Sequence, residues 1–259
     1  MMARYRFFAL NLATFLLPVS LSHGITLSLT PIKDTVIYED PTGSLANARG
    51  SNLFAGVNGG GGGNLELRTL ISFDVSGIPS GSTITGVSLS LQANSRLGTS
   101  TTVQTNFHRL LGDWGEGTSL PSDGGGGSGG DATPGDATWI HTFSSTDLWD
   151  TPGGDFVASP SATLDVTENF RHTWTSPELV TDVQGFVDGD FDNFGWILIA
   201  EPGARTKRFF SHDSFDSIVF PQLIVDYTPI PEPGVTSIFL TLIIPALLQR
   251  RRRQIALRR

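Results

Sequence analysis

The sequence predicts an all-β fold: an antiparallel β-sandwich that carries one short helix. Two observations lead to this class. Apolar and polar side chains alternate over short runs, and clusters of glycine, proline, serine and aspartate separate these runs. Alternation with a period of two places one set of side chains on each face of a sheet, and short turns between the runs are typical of antiparallel strands. Cysteine is absent and 39% of the 259 residues are apolar, so apolar packing rather than disulfides must hold the core.

The individual runs predict eight or more strands. Residues 65–73, 87–91 and 103–107 each place an apolar or threonine side chain at every second position. Residues 196–200 and 223–227 are more continuously apolar, which predicts strands that are buried on both faces.

One helix is expected to start at Thr175 or Ser176. Pro177 suits the first turn of a helix, and Glu178 completes a Thr-x-x-Glu capping box with Thr175. The apolar residues that follow at helical spacing are Leu179, Val180, Val183 and Val187.

Two glycine tracts, residues 59–63 and 124–130, lack side chains that could pack. Because glycine loses the most backbone entropy on ordering, we expect both tracts to be mobile loops. Neither tract lies where a linker between two hydrophobic cores would be needed, so the sequence predicts one domain over residues 25–228.

Charge is distributed unevenly along the chain. Eight of the 17 basic side chains lie in the two terminal segments, so residues 25–233 carry nine basic and 25 acidic side chains, a net charge of −16. A body with this negative charge repels the phosphate backbone of nucleic acids, so we expect that it has no nucleic acid as a partner.

The N-terminus has the three parts of a secretion signal. Arg4 and Arg6 precede the apolar run 7–17, and small residues follow up to Gly24. We therefore expect a signal peptide over residues 1–24; the alternative is a buried N-terminal helix.

The C-terminus, residues 229–259, has a different pattern. A Pro-Glu-Pro triplet precedes a short apolar run, residues 235–248, and an arginine cluster follows it. The residues of the triplet and the cluster are Pro231, Glu232, Pro233, Arg250, Arg251, Arg252 and Arg253. The run is shorter than the roughly 20 residues of a stable membrane span, and the arginines are typical of a cytoplasmic stop.

This tail resembles the PEP-CTERM sorting signal, a short hydrophobic helix that exosortase systems process. The resemblance implies transient membrane insertion of the tail and an exosortase-type processing enzyme as a partner. The alternative is a permanent C-terminal anchor. In both interpretations the body is exported and belongs to the cell envelope, the cell surface or the extracellular matrix.

Catalytic and metal-binding patterns are sparse. The five histidines show no zinc spacing, and no pair of carboxylates stands out as a glycosidase dyad, so we expect no catalytic residues. Asp188, Asp190 and Asp192 alternate in a glycine-bearing loop, and clustered oxygen ligands of this kind suit a structural calcium ion. The alternative is a solvated turn, and no other cofactor is expected.

Aromatic and basic side chains are the candidate ligand contacts. Trp114 and Trp139 lie in loop-like sequence, where an exposed ring can stack on a sugar; the alternative is that they cap the core. In the strand 207–211 one of Lys207 and Arg208 should point outward, whichever face is buried. The alternative for Arg208 is an ion pair with Asp213 or Asp216.

In its order of motifs the body is similar to the DNRLRE domain, also classed as carbohydrate-binding module family 96. The matching stretches are residues 34–37 (Asp-Thr-Val-Ile), 53–56 (Leu-Phe-Ala-Gly), 68–74 (Arg-Thr-Leu-Ile-Ser-Phe-Asp), 78–79 (Ile-Pro), 84–91, 113–117 (Asp-Trp-Gly-Glu-Gly), 137–139 (Ala-Thr-Trp), 153–156 (Gly-Gly-Asp-Phe), 193–196 (Asn-Phe-Gly-Trp) and 207–211 (Lys-Arg-Phe-Phe-Ser). The resemblance implies a jelly-roll-like, non-catalytic sandwich that binds polysaccharide, notably acidic types. An acidic ligand would require local basic clustering around Arg68, Arg109, Arg205, Lys207 and Arg208.

We therefore expect an exported, non-catalytic surface or matrix protein whose sandwich binds polysaccharide or extracellular matrix. A purely structural envelope or biofilm protein of the same fold is the first alternative. A polysaccharide lyase or glycosidase is the second.

Overall fold

Short strands are the main regular elements of the computed structural model, which describes residues 23–94, 101–167 and 170–230. The predicted signal peptide, apart from its last two residues, and the predicted tail from Pro231 onward lie outside the described residues. Residues Gly24–Ile230 form one compact unit.

The described residues contain fifteen strands, one α-helix and two 3₁₀ turns. In chain order the elements are β1 (Ile25–Leu29), β2 (Lys33–Tyr38), β3 (Leu45–Ala46), β4 (Asn52–Val57), a 3₁₀ turn (Gly60–Gly62), β5 (Glu66–Ser72), β6 (Thr83–Gln92), β7 (Val103–Arg109), β8 (Gly130–Asp131), β9 (His141–Phe143), β10 (Asp147–Leu148), β11 (Ala162–Val166), β12 (Arg171–Trp174), α1 (Pro177–Asp188), β13 (Trp196–Ala200), β14 (Lys207–Phe210), a second 3₁₀ turn (Ser217–Val219) and β15 (Gln222–Thr228).

Two antiparallel sheets account for nearly all of these strands. The smaller sheet has the order β1-β15-β6-β12, and the larger has the order β11-β7-β13-β5-β2-β3-β8. Strand β4 pairs with β5 and with β14 at the side of the larger sheet, and β9 pairs with β10 separately. Each pairing between these strands is antiparallel, as the alternating sequence predicts.

The two sheets share one hydrophobic core. Leu89 and Val225 of the smaller sheet are fully buried in the same cluster as Ile71, Phe107 and Leu198 of the larger sheet. Burying both inner faces against each other removes the alternating apolar residues from water, which is the main favourable term for a fold of this kind.

A second core covers the outer face of the larger sheet. Ile37, Leu70 and Ile197 point away from the shared core and are fully buried under the long connection between β7 and β11. That connection brings Trp114, Trp139 and Trp149 onto the sheet. The prediction that the strand is buried on both faces is confirmed for β13. For β15 it is wrong, because burial alternates along this strand and Asp226 is exposed.

Helix α1 begins where the sequence predicts. Ser176 is its N-cap and accepts a hydrogen bond from the backbone N–H of Leu179 at 2.9 Å, so Ser176 rather than Thr175 caps the helix. Leu179 and Val183 are buried in the shared core. No helix of the described part of the chain is long and apolar enough to span a membrane.

The second glycine tract is held by hydrogen bonds along its length. Asp123 Oδ1 accepts hydrogen bonds from the N–H groups of Gly125 and Gly126 at 2.9 and 2.8 Å, and the Tyr38 hydroxyl donates to the Gly126 carbonyl. The last residue of the tract, Gly130, begins β8. Gly126 has a φ of 85°, and a Cβ there would lie 2.3 Å from Asn47 Nδ2, so glycine is required for this close approach.

Candidate functional site

An open cleft lies over the layer that covers the larger sheet. Its volume is about 820 Å³. Strand β5, the start of the connection after β7, strands β9 and β10, and residues 150–156 supply its walls. We call this the Arg68 cleft; its lining residues include Arg68, Leu111, Asp113, Thr142, Leu148, Asp150, Thr151, Asp155 and Phe156.

Arg68 is fixed in the wall of this cleft. Its guanidinium carbon lies 4.6 Å from the centroid of the Trp139 ring and 5.9 Å from that of Phe156. Its Nε lies 2.8 Å from Glu66 Oε1, and its Nη1 donates to the Gly153 carbonyl at 2.7 Å. A cation held by two rings, a carboxylate and a carbonyl is a rigid part of the wall, because each contact restricts its rotation.

The remaining wall combines apolar and acidic side chains. Leu111 is 54% exposed and Leu148 is 66% exposed, so water covers most of both side chains. Asp113, Asp150 and Asp155 supply three carboxylates. Lys33 pairs with Asp113 at 2.6 Å and Arg68 pairs with Glu66, so Asp150 and Asp155 leave the cleft with a local negative charge.

The predicted aromatic contacts lie mainly inside the protein. Trp114 is 1% exposed, its indole N–H donates to the Phe194 carbonyl at 2.9 Å, and Lys33 Nζ lies 4.3 Å from its ring centroid. The core-capping alternative is therefore correct for Trp114, since its ring has no exposed face for a sugar. Trp139 is 9% exposed and contributes to the Arg68 cleft only through its contact with Arg68.

Arg109 contacts side chains inside the protein and does not belong to a basic cluster. Its Nε lies 3.2 Å from Asp182 Oδ1, and its guanidinium carbon lies 3.7 Å from the centroid of Phe191.

Of the two cations of strand β14, Lys207 points inward. It is 7% exposed, it donates to the carbonyls of Thr101 and Thr167, and its burial lowers the pKa of its ammonium group. Arg208 lies on the other face and donates to the Asn94 carbonyl. The suggested partner Asp213 pairs instead with Arg49, at 3.1 Å. Of the six predicted ligand contacts, only Arg68 and Trp139 come together.

The three aspartates of the predicted calcium loop lie at the end of helix α1. Asp188, Asp190 and Asp192 are exposed, and Asp188 accepts a hydrogen bond from Gln184 at 2.9 Å. They do not form a group of ligand atoms close enough to share an ion. Among the residues that the structure describes, one group does so, and it lies elsewhere.

That group consists of Asp34, Glu116, His212 and Asp213, which we call the His212 cluster. Its candidate ligand atoms lie within 4.8 Å of one another. Asp34 belongs to β2, Glu116 to the connection after β7, and His212 and Asp213 follow β14. Sequence reasoning missed the cluster because tertiary folding alone brings together residues so distant along the chain; only the adjacent His-Asp pair gave any signal.

The cluster concentrates negative charge around one imidazole. His212 Nδ1 lies 3.0 Å from Asp34 Oδ1, and His212 Nε2 lies 3.7 Å from Glu116 Oε1 and 3.8 Å from Asp213 Oδ2. Burial raises the pKa of Asp34, and burial also raises the pKa of Glu116 to about 7. Burial would lower the pKa of His212, but Asp34 and the other carboxylates outweigh it and raise that pKa to about 9. The carboxylates of the cluster therefore stabilise a positive charge placed between them.

Comparison with known proteins adds no assignment, because no protein-family model and no curated protein matches this chain.

Proposed function

We propose that this chain is an exported, non-catalytic protein of the cell surface or extracellular matrix whose body binds polysaccharide in the Arg68 cleft. In this proposal the body is a jelly-roll-like sandwich of the DNRLRE type. Residues 1–24 direct export. The tail, residues 229–259, inserts transiently in the membrane and is processed by an exosortase-type enzyme.

The composition of the Arg68 cleft carries the proposal. Exposed Leu111 and Leu148 offer apolar surface to the C–H faces of a sugar, and Thr142, Thr151 and Asp150 place hydrogen-bonding groups beside them. A volume of about 820 Å³ falls within the usual range for ligand sites. A second concavity of about 580 Å³ between β6 and α1 is lined mainly by small side chains and has no aromatic residue, which makes it the weaker candidate.

The charge of the cleft favours a neutral polysaccharide over an acidic one. An anionic chain would meet Asp150 and Asp155, while Lys33 is paired with Asp113 and Arg68 with Glu66. Like charges at an interface oppose association. Arg109, Lys207 and Arg208, which an acidic ligand would need, are engaged elsewhere.

A purely structural envelope or biofilm protein is the second candidate. The internal contacts of Arg109 and Lys207 favour it, because cations that hold the fold together do not require a ligand.

Affinity electrophoresis of the whole chain distinguishes the two candidates. Native gels would contain neutral glucans, xylans and mannans or, separately, alginate and pectate. We expect a neutral polysaccharide to retard the protein. Leu111→Asp and Leu148→Asp should abolish the retardation, because each adds charge and removes apolar surface from the cleft.

Leu120→Asp is the matched control, since Leu120 is 63% exposed outside the cleft. Retardation that survives both cleft substitutions would reject the Arg68 cleft as the binding site. A chain that no polysaccharide retards would favour the structural candidate.

A further inference from the structure

Three buried atoms of the His212 cluster have no hydrogen bond. They are Asp34 Oδ1, His212 Nδ1 and Asp213 Oδ2, and the Asp34 residue is only 1% exposed. Asp34 Oδ1 and His212 Nδ1 lie 3.0 Å apart but do not meet the angles of a hydrogen bond. Leaving buried polar atoms without partners costs about 1–3 kcal/mol each, so their convergence on one point indicates a group that completes them.

The other atoms of these side chains are held by the protein. Asp34 Oδ2 accepts from the backbone N–H of His212 at 2.9 Å, and Asp213 Oδ1 lies 3.1 Å from Arg49 Nε. Glu116 Oε1 accepts from the backbone N–H of Asp34 at 2.8 Å. The three carboxylate side chains are thus anchored by neighbours, which is how proteins orient the donor atoms of metal sites.

We propose that Asp34, Glu116, His212 and Asp213 form a binding site for one divalent transition-metal ion. In a tetrahedral site with metal–ligand distances of about 2.1 Å, neighbouring donor atoms lie about 3.4 Å apart. The four candidate atoms already lie within 4.8 Å, so small side-chain shifts close the site. The three carboxylates more than offset the charge of a dication, and the imidazole of His212 supplies the fourth donor atom.

The imidazole decides the class of metal. Calcium and magnesium prefer oxygen ligands alone, whereas imidazole nitrogen suits zinc and other first-row transition metals. The ion would link strand β2, the connection after β7 and the segment after β14. Since Glu116 follows Asp113 of the Arg68 cleft by three residues, the same ion would also stiffen one wall of that cleft.

A salt-bridge network centred on a protonated His212 is the competing arrangement. It uses the same residues but binds no metal, so metal titration separates the two.

The test uses the whole chain without an affinity tag, treated with a chelator and dialysed free of it. Zn²⁺, Mn²⁺, Ca²⁺ and Mg²⁺ are titrated separately by isothermal titration calorimetry. We expect one Zn²⁺ or Mn²⁺ per chain and a higher melting temperature with the bound ion. His212→Ala and Asp34→Asn should each weaken binding by about tenfold or more, since they remove a ligand. The exposed Asp147→Asn is the matched control for Asp34→Asn and should bind as the wild type does.

Circular dichroism verifies that each variant folds. If Asp34→Asn unfolds, the more exposed Glu116→Gln takes its place, and Co²⁺ absorption of the wild type reports the coordination independently. The proposal is overturned if neither Zn²⁺ nor Mn²⁺ binds stoichiometrically, if Ca²⁺ or Mg²⁺ alone binds, or if the folded variants bind like the wild type. These outcomes do not depend on polysaccharide binding, so this inference and the proposed function stand or fall separately.

Discussion

Asp182 illustrates how one buried carboxylate joins the helix to the larger sheet. Its Oδ2 accepts hydrogen bonds from the Ser161 hydroxyl at 2.6 Å and from the Trp196 indole N–H at 2.9 Å. Its Oδ1 lies 3.2 Å from Arg109 Nε. Arg109, which the sequence offered as a ligand contact, therefore has a structural partner.

Removing this carboxylate should be costly. We expect Asp182→Ala to lower the free energy of unfolding by about 3 kcal/mol, because it leaves Arg109 and two hydrogen-bond donors without their partner. Urea denaturation measures the change, and Asp190→Ala in the exposed loop is the control. A loss no larger than that of the control would contradict this account.

Asp40 should make stability depend on pH in the acid range. Burial alone would raise its pKa, but hydrogen bonds from the hydroxyls and amides of Ser44 and Thr42 lower it to about 2. A carboxylate whose pKa is depressed on folding contributes stability above its unfolded value of 3.8 and loses it as pH falls through about 2.

The measurement compares the melting temperatures of wild type and Asp40→Ala between pH 6 and pH 2. We expect the wild type to melt higher at pH 6 and the difference to shrink from about pH 4 downward. A difference that stays constant across this range would show that the charge of Asp40 is not the stabilising factor.

Residue type alone predicted Arg68 and Trp139 as candidates, because a cation and an aromatic ring suit a binding surface. It could not predict that Trp114 and Lys207 point inward. Trp114 is buried by the layer between β7 and β11, which covers a sheet face that local alternation leaves open, and Lys207 is held inside by the carbonyls of Thr101 and Thr167. The His212 cluster was missed for the same reason, since its members come from three separate segments.

At the scale of elements, sequence patterns predicted a structure correctly where its contacts lie within one short segment of the chain. Helix α1 has its cap, its proline and its apolar stripe within one short segment, and its start was predicted correctly. The glycine tract 124–130 was different. Its hydrogen bonds come partly from Tyr38, far away in sequence, and from a strand pairing between β3 and β8.

Hydrogen exchange should therefore be slow in this tract. We expect the Gly125 and Gly126 amides to exchange more slowly than in an unstructured chain. Asp123→Ala should speed both about tenfold, because bonds to a charged acceptor contribute about 1.5 kcal/mol. Asp131→Ala, in the neighbouring strand β8, is the control. Amides that exchange at the unprotected rate in the wild type would support the mobile loop that glycine composition predicted.

At the scale of the whole molecule, both sheets bury their inner faces within residues 24–230. We expect a fragment of these residues to fold alone, with a circular dichroism spectrum dominated by strand and a melting temperature close to that of the whole chain. A fragment that is unfolded, or that shows a mainly helical spectrum, would mean that the terminal segments are needed to complete the body.

The sequence by itself determined the all-β class, the antiparallel pairing and the position of the helix, because these depend on period-two alternation, turn residues and a local cap. The tertiary structure decided which side chains face a cleft and which face a core. That choice depends on the second core over the larger sheet, built by a connection whose own sequence shows little periodicity. It also brought Asp34, Glu116 and His212 together, since only the packed sheet and its loops place residues so far apart in the chain within reach of one ion.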